Sequence, residues 1–93
     1  MPPIITDHAQ FEAQRRSIDL KFVLSTVENP RQKVSSGKRV VFQSKYHDEI
    51  QDKEMLLRVI VEPAGDVLKV ISVYKTSKTD KYWIKEERNE SHL

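Results

Sequence analysis

Five residues near the end of this chain, Lys75, Lys78, Lys81, Tyr82 and Trp83, bring three cations and two aromatic rings into one short stretch. Lysines spaced this way beyond a strand end can neutralise phosphates, and a ring beside them can stack on a base for about 1–3 kcal/mol. The same lysines also suit a solvated strand edge that resists edge-to-edge pairing, with Trp83 closing the core. Arg58 stands alone among Met55, Leu56, Leu57, Val59, Ile60 and Val61. A guanidinium in such a run needs either a carboxylate, for which Glu54, Glu62 and Asp66 are at hand, or an anionic ligand. His8, with Arg15 seven residues on, can exchange protons near neutrality or simply cap and pack a helix. Tyr46 and His47 are open to the same two readings.

Several chemistries lack their residues. The 93-residue chain contains no cysteine, hence no disulfide, thiolate metal site or cysteine nucleophile. His8, His47 and His92 show none of the close spacings of a zinc site, so no metal and no cofactor is expected. No Gly-rich phosphate loop, Ser-His-Asp set or paired-carboxylate motif is present. Sixteen Lys and Arg against fourteen Asp and Glu leave a formal charge of +2, so any basic surface must arise from local arrangement. Met1-Pro-Pro-Ile-Ile is too short for a signal sequence and no apolar run approaches the roughly 20 residues of a membrane span, which predicts a cytoplasmic protein with no membrane partner.

The elements that must position these groups form a helical front and a stranded back. Leu20, Val23, Leu24 and Val27 follow the spacing of one buried helical stripe over 18–29. Asp19 suits its N-cap, Ile18 and Val23 suit a hydrophobic staple, and Pro30 ends it. Thr6 or Asp7 can cap a shorter helix through about Arg16, with Phe11 as its large apolar anchor and a corner near Ser17. Beyond Pro30, strands are expected over 32–35, 39–46, 54–62 and 67–75. Gly37 and Gly65 occupy hairpin turns that need positive φ, and 47–53 forms a longer loop. The nearly unbroken apolar run 55–61 predicts a central strand covered on both faces. Residues 1–84 therefore read as one domain, followed by a charged tail over 85–93.

A two-residue turn at Ala64-Gly65 would oppose Pro63 to Asp66. Met55, Leu57, Val59 and Val61 would then share the helix-bearing face with Leu68, Val70, Ser72 and Tyr74. Leu56, Arg58, Ile60, Val67, Lys69, Ile71, Val73 and Lys75 would lie on the other.

The run His8 to Arg16 with Ser17-Ile18-Asp19, the close Val27-Glu28-Asn29-Pro30, and the ending Val73-Tyr74-Lys75-Thr76-Ser77-Lys78 with Tyr82-Trp83 resemble a bacterial family of small domains of unknown function. That family opens with a His and an Arg-Gly-Ile-Ser corner; Ser17 here stands where its corner has Gly. The family looks like a relative of the RelE, ParE and BrnT toxin folds. The resemblance implies an α+β domain with two N-terminal helices packed on one face of a curved antiparallel sheet of three to four strands. It also implies a toxin-like, metal-independent RNA endonuclease of a toxin-antitoxin pair, or else a non-catalytic module that binds a protein or itself. By position, His8, Arg58, Lys75 and Tyr82 would be catalytic, with Arg58 and either Lys75 or Lys78 holding phosphate and Tyr82 or His8 moving protons. Lys69, Lys78, Lys81 and Trp83 would hold RNA. RNA, an antitoxin-like protein and a second copy of the chain are the partners implied, the protein-binding alternative using an apolar patch around Leu56, Ile60 and Ile71.

Overall fold

The computed structural model describes residues 2–85. In chain order the elements are β1 Ile4–Ile5, α1 Asp7–Arg15, α2 Leu20–Glu28, β2 Gln32–Ser36, β3 Arg39–Asp48, β4 Lys53–Ala64, β5 Val67–Thr76 and α3 Thr79–Tyr82. The strands make one sheet in the order β1-β5-β4-β3-β2, antiparallel except for the β1–β5 pair. The α+β expectation holds, but the sheet is mixed and has five strands rather than three to four. The additional strand is β1, whose two residues are too few for any alternation to register in sequence. Thr6 ties it in: its backbone N–H and its hydroxyl both donate to Val70 O, at 3.1 and 3.0 Å, while Oγ1 accepts from Ala9 N and caps α1.

α1 and α2 cover one face of the sheet. α1 meets that face through Ala9 and Ala13, both essentially inaccessible, packed with Val70 and Val73 of β5 in the core. Phe11, expected as the anchor, is 58% exposed beneath the Arg15 guanidinium. A helix lying close on a sheet has room for methyl groups at i and i+4, and the large ring is left outside. On α2 the buried positions are Val23, Thr26 and Val27, with Leu20 rotated toward solvent. Asp19 caps the helix through Lys21 N at 2.9 Å, and Ile18 and Val23 both enter the core as the staple requires.

The corner between the helices is a Schellman motif: Ile18 N donates to Ala13 O at 2.8 Å and Ser17 N to Gln14 O at 3.2 Å. It holds Ser17 at φ 56, in the left-handed region where a Cβ is unfavourable. Ser17→Gly should therefore stabilise the protein by about 1 kcal/mol, less a few tenths for the freer unfolded chain. A urea melt with an unchanged or lower midpoint would show that Ser17 is not strained.

Gly37 and Gly65, both at φ 62, turn the β2–β3 and β4–β5 hairpins as expected. β3 and β4 run further than predicted, to a short loop over 49–52. Asp48 closes this loop by accepting from Ile50 N at 2.9 Å and Gln51 N at 3.0 Å. The Gln51 N–H above all, then the Ile50 N–H, the Gln51 amide and the charge of Lys75, hold its carboxyl below the ordinary range against an opposing desolvation effect. A depressed folded pKa stabilises the fold above the ordinary carboxylate range, and that contribution is lost as pH falls through the folded value. Asp48→Asn keeps an acceptor and should flatten this part of the acid dependence. Urea midpoints compared between neutral and acidic pH will test it, and an identical pH profile in the variant would refute it.

β4 is the central strand, with Leu56 and Leu57 both fully buried on opposite faces. The β4–β5 register differs from the expected one. The turn is Gly65-Asp66, so Ala64 opposes Val67, and a bulge intervenes: Val61 pairs with Val70 but Ile60 pairs with Ser72. Ile71 is the extra residue, and each side chain beyond it lies on the face opposite to the one predicted. Val73 and Lys75 oppose Val59 and Leu57 on the helix-bearing face, whereas Ser72 and Tyr74 oppose Ile60 and Arg58 on the other.

Candidate anion-binding site

The second face of the sheet is crossed by α3 and the residues after it, which begin where Thr76 Oγ1 accepts from Lys78 N at 3.0 Å. Beneath this strap, register brings Gln32, Gln43, Arg58 and Tyr74 side by side across β2, β3, β4 and β5. Arg58 Nε donates to Gln43 Oε1 at 2.9 Å and its Nη1 donates to the Tyr74 hydroxyl oxygen at 2.6 Å. The Tyr82 ring lies against the guanidinium, 4.2 Å from Cζ to centroid, and meets the Tyr74 ring edge-on at 6.4 Å. Glu54, Glu62 and Asp66, the carboxylates expected for Arg58, do not bond it. Among the described residues none of the ion pairs involves Arg58. An amide, a phenol and a π face take their place.

Gln43, completely buried, organises this cluster. Its carbonyl oxygen accepts from Arg58, while its Nε2 donates to Gln32 Oε1 at 2.7 Å and to Tyr82 O at 3.1 Å. Gln32 in turn reads the strap backbone, donating to Ile84 O at 2.6 Å and accepting from Ile84 N at 3.0 Å. Lys45 sits 4.3 Å from the Trp83 ring centroid and Lys81 5.2 Å from that of Tyr82. Three cations therefore gather where α3 crosses the sheet, each against an aromatic ring.

No family model, curated protein or solved structure matches this chain. Its chemistry has to be read from the arrangement itself.

Arg58 has five N–H donors in a rigid fork, of which protein atoms engage one at Nε and one at Nη1. The phenol of Tyr74 accepts from Arg58, so its own hydrogen is directed away from the guanidinium; among the described residues it has no acceptor. The group can thus offer an oxyanion a charged fork held in plane and a hydroxyl donor beside it, both partly open to solvent.

Of the residues predicted from sequence, Arg58, Tyr82, Trp83 and Lys81 come together here. His8 does not: it is exposed on α1, which packs on the opposite face. Lys75 points to that opposite face too, Lys78 is exposed just before α3, and Lys69 lies further along β5 opposite Glu62. Tyr46 packs edge-on against Phe22 at 5.1 Å, and burial followed by the nearby Asp48 charge raises its pKa. Gln43, Gln32, Tyr74 and Lys45 escaped sequence reasoning. Gln43 carried one usable signal, a polar residue directly after the apolar Val40-Val41-Phe42. Among the described residues no three His, Asp or Glu side chains gather to hold a metal, no cavity is present, and no helix is long and apolar enough to cross a membrane.

Proposed function

We propose that this chain is a RelE-, ParE- and BrnT-like domain that binds single-stranded RNA on the Arg58 face of its sheet, as a binding module rather than a nuclease. The observation that carries this reading is the fixed guanidinium of Arg58, oriented by Gln43, Tyr74 and Tyr82 with donors left over. A phosphodiester offers the acceptor oxygens that such a fork matches, and Lys45 and Lys81 add positive charge on the same surface. The flanking rings of Tyr82 and Trp83 suit bases that are not already stacked in a duplex.

In-line attack by a 2′-hydroxyl needs a proton acceptor near the held phosphate. Of the two groups carried over for that role, His8 lies across the sheet, and Tyr82 has its ring against the guanidinium. The protein-docking alternative loses its expected centre, because Leu56 is fully buried under the strap.

Fluorescence anisotropy with a labelled oligouridine of about 12 nucleotides, within the site sizes of single-strand-binding surfaces, tests the reading. Binding is expected to weaken with salt at a slope near −2, about −0.7 for each of three cations. Absence of binding at low salt, or binding indifferent to salt, would overturn it.

A further inference from the structure

We infer that the strap over 79–85 is a closure coupled to ligand at the Arg58 site, so that bound polyanion draws it shut; this rests on the RNA-binding reading above. α3 has four residues, none of them buried, and a helix this short has no stability of its own. The Lys81 amide and that of Trp83 just beyond the helix bond locally, to Lys78 O and Thr79 O. The strap's hydrogen bonds to the sheet all pass through two side chains, Gln32 holding Ile84 and Gln43 holding Tyr82 O. Ring contacts add to these: Tyr82 with Arg58 and with Tyr74, and Trp83 with Lys45. An element held by a few side chains, with no backbone ladder, opens at a small fraction of the global unfolding free energy.

The sign of the coupling follows from charge and geometry. Lys78, Lys81 and Lys85 against Asp80 give the segment from 78 to 85 a net +2, so closure carries positive charge toward the anion that Arg58 holds. Closure also places the Tyr82 ring on the guanidinium, fixing the plane of the fork that the ligand uses. Opening therefore loses both preorganisation and cations, and a ligand with that preference for the closed strap must stabilise it.

Amide hydrogen exchange of the full chain, with and without saturating oligouridine, reads this directly. Trp83 and Ile84 amides should exchange roughly tenfold more slowly with RNA bound, while amides in the β3–β4 ladder, which open only globally, serve as the reference. Gln32→Ala, which removes the Ile84 clasp and one of the two acceptors of the Gln43 amide but no direct hydrogen bond to Arg58, should weaken RNA binding about threefold to fivefold, a cost in the range of one hydrogen bond. If RNA binds but strap exchange is unchanged or faster, or if Gln32→Ala binds as tightly as the native chain, the coupling is wrong and the binding site stands. If no RNA binds, both fall together.

Discussion

Arg58→Ala should weaken binding of single-stranded RNA by at least about tenfold, since a charge-assisted hydrogen-bonded contact is worth about 1.5–3 kcal/mol and 1.4 kcal/mol is a factor of ten. The salt slope should become shallower by about 0.7, the share of one phosphate contact. Arg58→Lys separates charge from shape. An ammonium is a point charge that cannot span Gln43, Tyr74 and the Tyr82 ring while still facing a phosphate. The lysine variant should keep the native salt slope yet recover only a minor part of the affinity. Circular dichroism on both variants will separate loss of the site from loss of the sheet, and the buried floor of Leu56 and Val41 should keep the fold intact in either. Native affinity in a folded Arg58→Ala protein would move RNA binding to the solvated lysines at the strand ends. Native affinity in the lysine variant would mean that the fork geometry is irrelevant.

Gln43→Ala is the substitution expected to cost most stability on this face, about 3 kcal/mol. Three groups lose a hydrogen bond at once, Arg58 Nε, Tyr82 O and Gln32 Oε1, the last keeping only the Ile84 N–H, around a side chain with no exposure to water. One polar group stranded in this way costs about 1–3 kcal/mol, and the remaining two can regain water as the strap loosens. For a domain this size the loss corresponds to a melting temperature lowered by about 12 °C or more. Leucine in place of alanine fills the volume without pairing any of the three groups, so Gln43→Leu should be comparably destabilising. A calorimetric scan will decide; a loss below about 1 kcal/mol in either variant would show that water replaces the amide and that the network is not a structural unit.

Much of the scaffold was legible from local patterns. Asp19 and Thr6 announce helix starts through their short acceptor side chains, Gly37 and Gly65 mark hairpins, and the apolar run of β4 marks the centre of the sheet. The corner near Ser17 was legible as the junction of two helices, and the structure adds its left-handed φ. β1 was missed because two residues carry no period. Phe11 was misread because size suggests an anchor, whereas the close approach of α1 to β5 selects Ala9 and Ala13.

The candidate site divides along the same line. That Arg58 required a partner followed from sequence, because a guanidinium among apolar neighbours cannot lose its hydration without compensation. The nearness of Lys81 to Tyr82 and Trp83 was legible too, whereas Lys75 and Lys78, expected beside them, stay out of the group. Which partner Arg58 takes was decided by one residue: the bulge at Ile71 turns Tyr74 toward Arg58 and Lys75 away, while the β3–β4 register sets Gln43 beside them. Composition and spacing determined the charges, the caps and the turns, since each depends on chain neighbours. Strand pairing, the bulge and the folding back of α3 determined who meets Arg58, because side-chain alternation repeats every two residues and gives no sign of a single-residue insertion until the neighbouring strand is in place.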